Sequence, residues 1–228
     1  MIRVTVWNEF QHERTQEKVK EIYPDGIHTC IAKFLRQEEE LSVRTAVFDE
    51  KEHGLTEEVL ANTDVLVFWN HMLQEEFSDD VAERVRRHVL AGMGLVVLHS
   101  GHYSKIMRKL LGTSMTLRWR HGDRERLFCT CPTHPIAQGI PAWVDIPEEE
   151  MYGEFLIFPN RMMWYLRDGL QAVRCPQRMH LYTWAGQNFL FSAGTRGIPH
   201  LPYAGDSEDY QKWGTLVRSC STKTGTTG

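Results

Sequence analysis

Two uninterrupted apolar runs, Val65-Leu66-Val67-Phe68-Trp69 and Gly94-Leu95-Val96-Val97-Leu98, constrain the fold more than any other feature of the chain. A strand that is apolar at every position needs cover on both faces, as a strand inside a parallel sheet flanked by helices does. The segments around these runs supply the helices. Ser78 is a fitting N-cap for a helix with Val81, Val85 and Val89 on one face that stops near Gly92, and Ser104 to Leu111 carries Ile106, Leu110 and Leu111 at helical spacing. Upstream, Val4 to Trp7 reads as a first strand, and Asp25-Gly26 as the turn into a helix bearing Ile27, Ile31, Phe34 and Leu35. Ser42 to Phe48 alternates as a strand, and Thr56-Glu57-Glu58 opens a short helix. Repeated strand, helix, strand units predict an α/β fold, a parallel sheet with helices on both faces.

Composition narrows the class. The chain has 228 residues, 42% of them hydrophobic, and a formal charge of −4, enough for a substantial core. No apolar stretch approaches the roughly 18 residues of a membrane span. The N-terminal segment reads as a strand rather than a signal peptide, so a cytoplasmic protein with no membrane partner is expected. Five cysteines, an odd number without a CxxC pair, predict reduced thiols and neither a disulfide framework nor a zinc knuckle. Mild acidity and the lack of a dense Lys/Arg stripe argue against nucleic acid as a partner. The sequence is compatible with a homo-oligomer.

Histidine recurs where a parallel sheet gathers function. It stands in the segments around His12, His28 and His71, and twice in Leu98-His99-Ser100-Gly101-His102. Side chains just past the carboxyl ends of neighbouring parallel strands converge on one crevice, so these distant residues can share one site. The turn at 98–102 is the sharpest signal. A tight strand-to-helix turn presents its central side chain at the top of the sheet, and Gly101 permits the close backbone approach such an elbow needs. Either His99 or Ser100 takes that position, and no G-x-S-x-G flanks Ser100 to mark it as a nucleophile. His28 opens a helix, whose positive end favours a neutral imidazole. His12 and His102 read as loop residues, while His53, His88 and His121 lie in charged surroundings and read as surface. His28, His71 and His102 or His99 would supply three zinc ligands, with Glu9 or Glu154 as base, although no HxxxH or HxH spacing marks the set.

The segments WNEFQHE (7–13), YPDGIH (23–28), HGLTEEVL (53–60), TDVLVFWNHM (63–72), GMGLVVLHSGHYSKI (92–106), LRWR (117–120) and EEEMYGEF (148–155) resemble the ThuA family of trehalose utilisation proteins. The resemblance runs in order from residue 2 to 155. It implies a flavodoxin-like parallel sheet similar to class I glutamine amidotransferases, and a role in the uptake or breakdown of trehalose or related disaccharides. In those amidotransferases the elbow carries a cysteine with glycine two residues on. Laying that pattern on this turn puts His99 where the cysteine would be, leaving no thiol to form a glutamyl thioester. Cys30, on the first helix, and Cys129 and Cys131, on a later strand, do not replace it. The resemblance therefore implies acid/base or metal-assisted chemistry on a sugar, or a sugar-binding or regulatory module, rather than glutamine hydrolysis. His99, Ser100, Glu9 and Glu154 are the expected catalytic residues. Trp7, Asn8, His12, Trp69, Asn70 and Tyr152 are expected on the sugar, with the aromatic rings stacking. His28, His71 and His102 are the expected ligands of a divalent metal such as zinc, and no nucleotide cofactor is expected.

Two regions follow from charge and motif content. Residues 1–155 carry 26 Asp/Glu against 18 Lys/Arg and form the ThuA-like domain, whereas residues 156–228 carry 4 against 8. The later region ends in a low-complexity Ser/Thr/Gly stretch. It reads as an out-of-frame remainder of the same domain. Residues 156–164 can be back-translated so that a shifted frame gives DIPEPDDVV, and 187–202 so that another gives KIFYFQPGHEAYPTY, both similar to ThuA segments. Two single-nucleotide losses, near Phe155 and near Arg174-Cys175, would produce this. A chain so altered is expected to lack the last strands and the family's C-terminal His-Glu pair.

Overall fold

The computed structural model describes residues 1–129, 132–133, 141–153, 166–168, 180–184 and 187–192. Its main sheet contains β1 (Ile2–Asn8), β2 (Leu41–Val47), β3 (Val65–Trp69), β4 (Gly94–Leu98), β8 (His180–Trp184) and β9 (Gln187–Ser192). They lie in the order β2-β1-β3-β4-β9-β8, with the first five strands parallel and β8 antiparallel at the edge. The chain runs outward from β1 in both directions, which leaves a crevice past the carboxyl ends of β1 and β3. A second, antiparallel sheet joins β5 (Arg118–Cys129) to β6 (Trp143–Gly153) and to β7 (Leu166–Asp168).

Strand parity divides the core. Val4, Val6, Val65, Val67 and Trp69 face the helix α3 (Ile27–Leu35), meeting Ile27, Ile31, Phe34 and Leu35. Trp7, Leu66, Phe68, Leu95 and Val97 point the other way, against α5 (Asp79–Leu90) and α6 (Lys105–Leu111). All five positions of β3 and of β4 are buried, as continuous apolar runs covered on both faces require. Among the described residues, no helix is long and apolar enough to cross a membrane.

Helix entries follow the sequence closely. Ser78, Ser104 and Thr56 each accept a hydrogen bond from the backbone N–H three residues on, starting α5, α6 and α4 (Glu57–Ala61). Two short helices escape the sequence pattern, α1 (His12–Thr15) and α2 (Glu17–Ile22). Val19 is the one buried apolar side chain across the two, so there is no stripe to detect. His12 thus opens a helix rather than lying in a loop.

The tail contributes more than expected. Residues 187–192 pair in parallel with β4, Leu95 opposite Phe189 through Leu98 opposite Ser192, and extend the sheet by a fifth parallel strand. The β-prone apolar run Phe189-Leu190-Phe191 suits that position. The two regions drawn at residue 155 therefore share a sheet, while residues 154–165 lie outside the described set.

Candidate functional site

The carboxyl ends of β1, β3 and β4 meet in one place, held by a buried carboxylate. Glu9, directly after β1, accepts hydrogen bonds from the side-chain amide of Asn70 (3.0 Å) and from the backbone N–H groups of His71 (2.8 Å), Met72 (2.8 Å) and Leu73 (3.0 Å). Oε1, which takes the Met72 bond, also stands 3.4 Å from His12 Nδ1, while the other three donors meet Oε2. Burial alone would raise the pKa of this carboxyl; His12 and the N–H donors more than offset it and keep the group below its ordinary value. On the opposite side of the same loop, Gln74 Nε2 donates to the carbonyls of Asn70 (3.1 Å) and Ser100 (2.8 Å). The loop after β3 is held through its amides by Glu9, and Gln74 ties its Asn70 carbonyl to the Ser100 carbonyl of the turn after β4.

The turn after β4 is an elbow. His99 has a left-handed backbone, φ +45°, unusual for a residue with a side chain. It therefore takes the central position, and Ser100 does not. The Ser100 hydroxyl donates to the Asn70 carbonyl at 3.3 Å. A Cβ on Gly101 would come within 2.9 Å of Val97 Cγ1 and 3.4 Å of the Phe68 carbonyl oxygen, so glycine is what lets the elbow lie on β3 and β4.

A cavity of about 460 Å³ opens above these loops. Its lining includes His12, Trp69, His71, Gln74, His99, Ser100 and His102, with Tyr103, Thr116, Leu117, Trp119 and His121 across from them. The imidazoles are packed together: His71 and His99 are nearly parallel (6°) with ring centres 5.9 Å apart, and His12 meets His71 at 4.8 Å and Trp69 at 5.3 Å. Burial, reinforced by the neighbouring histidines His71, His102 and His12, pushes His99 down to about 3. Burial takes His102 to about 4, against the opposing effect of its hydrogen bond to the Met115 carbonyl (2.8 Å). His71 is also lowered, by burial and by His12, with Glu9 pulling the other way. In neutral His102 the Nδ1–H donates to Met115, so Nε2 carries the lone pair.

Several expected residues are employed elsewhere. Trp7 is 1% exposed on the opposite face of the sheet, stacked on Phe68 at 4.5 Å with its indole N–H donated to the His53 carbonyl; parity keeps it from the crevice. Asn8 binds Glu13 (2.6 Å) and accepts from Phe10 N–H, and Asn70 is fully buried against Glu9. Neither lines the cavity. His28 sits at the start of α3 against Phe10, 3.5 Å from Asn8 Nδ2, and is likewise absent from the lining. Burial lowers its pKa despite Glu13 and Glu50. The set His28, His71, His102 is therefore not gathered. Among the described residues, no three His, Cys, Asp or Glu side chains are disposed to hold a metal ion. Glu154 and the Tyr152 side chain lie outside the described residues.

One histidine read as surface is not. His53 stacks on Phe48 (4.2 Å) and Phe77 (4.8 Å), pairs Nδ1 with the Phe48 carbonyl and accepts from Ser78 N–H at Nε2, bracing β2 against α5. His121, on β5, is exposed as expected and also lines the cavity. His88 is a surface residue paired with Glu57. Sequence reasoning also missed Gln74 and Trp119. Trp119 stands inside the LRWR motif, which was the available signal, whereas Gln74 follows its strand too far for an end-of-strand pattern to mark it.

A family model described as ThuA, trehalose utilisation, matches residues 3–196. This chain belongs to the ThuA family. The match runs past residue 155, where the recognisable motifs end, and takes in β8 and β9. Among solved structures, this ThuA-family chain is similar to a protein described as ThuA-like from Bacteroides uniformis, with a TM-score of 0.66 at 13% identity over 97% of this chain and 92% of that one. A cytoplasmic protein from Salmonella typhimurium is similar at a TM-score of 0.64 and 12% identity, covering 97% of this chain and 100% of that one. PurLQS from Thermotoga maritima shares the fold at a TM-score of 0.55 and 12% identity, covering 96% and 97%. No curated protein matches the chain. At these identities the structural likenesses establish the fold, an amidotransferase-like α/β sheet.

Proposed function

We propose that this ThuA-family protein binds trehalose or a related disaccharide in the histidine-lined cavity and moves protons at the sugar with neutral imidazoles. The observation that carries the reading is the gathering of His12, His71, His99 and His102 around one cavity, with His99 on a left-handed elbow. A neutral imidazole in a half-enclosed site can take a proton from a hydroxyl and return it, which is general acid/base catalysis. The cavity volume suits a disaccharide, and Tyr103 and Trp119 offer aromatic faces for sugar rings. An imidazole at the elbow, where a nucleophile would stand, supports a second reading: a sugar-binding module without turnover.

One experiment separates the two. Trehalose is incubated with purified protein and followed by proton NMR through its anomeric signal, for wild type, His71→Ala and His99→Asn. The catalytic reading expects conversion that falls by about 10²-fold or more in His99→Asn. Trehalose binding without conversion, surviving both substitutions, establishes the binding module. Stoichiometric metal in the wild type, lost in His71→Ala, would give the chemistry a metal-assisted form.

A further inference from the structure

The cavity holds a histidine whose buried nitrogen has a carboxylate beside it and no hydrogen bond. His12 Nδ1 is shielded from solvent and makes none, yet it stands 3.4 Å from Glu9 Oε1 in an ion-pair contact. The ring is fixed by its neighbours: it stacks on Trp69 at 29° and meets His71 edge-on at 63°. Glu9 cannot swing away, because Asn70, His71, Met72 and Leu73 hold its oxygens through N–H groups. It remains an anion for the same reason.

We infer that His12 is the cavity's proton acceptor and that Glu9 is its positioning residue, a base oriented by a carboxylate. This rests on the reading of the cavity as a sugar site. In the free protein the Nδ1 to Glu9 contact is long, as contacts of this kind often are before a ligand closes the site. The Glu9 anion already holds the proton on Nδ1 and leaves the lone pair on Nε2, and closure of the site shortens the contact. Nε2 then takes a proton from a bound sugar hydroxyl, the imidazolium positive charge lies against the Glu9 anion, and the same proton returns when the step reverses or completes. Nothing else is consumed. Glu9 does not touch the sugar; it selects the tautomer, the part the buried carboxylate plays in a nucleophile, base and orienter arrangement. The sequence reading made Glu9 a catalytic group and His12 a sugar contact; here His12 is the base and Glu9 positions it.

The test is the His12 tautomer, read from the ¹⁵N shifts of its ring nitrogens at a pH where the ring is neutral, with trehalose added afterwards. The dyad expects the proton on Nδ1 in the wild type, its loss to Nε2 in Glu9→Gln, and its return in Glu9→Asp. A proton on Nε2 in the wild type overturns the dyad without recourse to any variant, so the outcome stands even if Glu9→Gln fails to fold. Unchanged tautomer in folded Glu9→Gln overturns it as well. If trehalose moves ring signals of other cavity residues but not those of His12, the base assignment falls while the sugar reading stands. If trehalose moves no cavity signal, the sugar reading falls, and with it His12 as a base toward sugar.

Discussion

His99 and His102 are neutral in the fold at pH values where a solvated histidine is charged, and this ties stability to pH. Their folded pKa values, about 3 and about 4, lie below the unfolded value near 6.5. Between those limits the unfolded chain binds more protons than the folded one, so stability rises with pH. The contribution is fully present above pH 6.5 and is lost as pH falls toward 4. Each histidine should remove about 1.4 kcal/mol per pH unit at most within that window. Urea unfolding at pH 7, 6 and 5 should show the decline. His102→Asn, which can still donate to the Met115 carbonyl, should flatten it, and a slope unchanged by that substitution would show that the acid sensitivity lies elsewhere.

At the scale of elements, the two turns after β3 and β4 decide the site, and only one of them was legible. The elbow announced itself in an apolar run ending in His-Ser-Gly: the tight glycine is where that pattern puts it, and of the two candidates for the central position, His99 and Ser100, the left-handed backbone falls on His99. Gly101→Ala should therefore cost about 1–3 kcal/mol in chemical denaturation, since its Cβ would press on Val97 and the Phe68 carbonyl; a change below 0.5 kcal/mol would mean that the elbow relaxes freely. The turn after β3 was harder to read. Its histidine was visible, but its geometry is set by Glu9, a residue 61 to 64 positions away whose carboxylate accepts from the loop's own N–H groups. Main-chain donors carry no sequence signature. The same blindness sent Trp7 and Trp69 to one site, although strand parity puts them on opposite faces, and left His53 on a surface that Phe48 and Phe77 in fact cover.

For the whole molecule, the sheet topology was legible through its fourth parallel strand because β3 and β4 are apolar throughout and the helix between them carries a clear cap. Beyond residue 155 the motifs vanish, yet a strand forms at 187–192. A frame lesion and a strand are compatible: NFLFS as written and KIFYF in the shifted frame are both apolar and β-prone, so either reading furnishes an edge for β4 to pair with. On our reading of the tail as an out-of-frame remainder, restoring one nucleotide near the codon for Phe155 and another near Arg174-Cys175 should give a protein that melts at a higher temperature than the chain as written. Equal melting temperatures would favour a tail that has diverged and settled.

The grip of Glu9 on the loop after β3 has a consequence for how such a cavity can change. The carboxylate holds peptide groups at 71, 72 and 73, so the path of the chain there does not depend on which side chains it bears. Residue 71, which lines the cavity, can be exchanged while the loop keeps its course. A scaffold of this kind lets a lineage alter what the pocket recognises one codon at a time, without first rebuilding the frame that holds it.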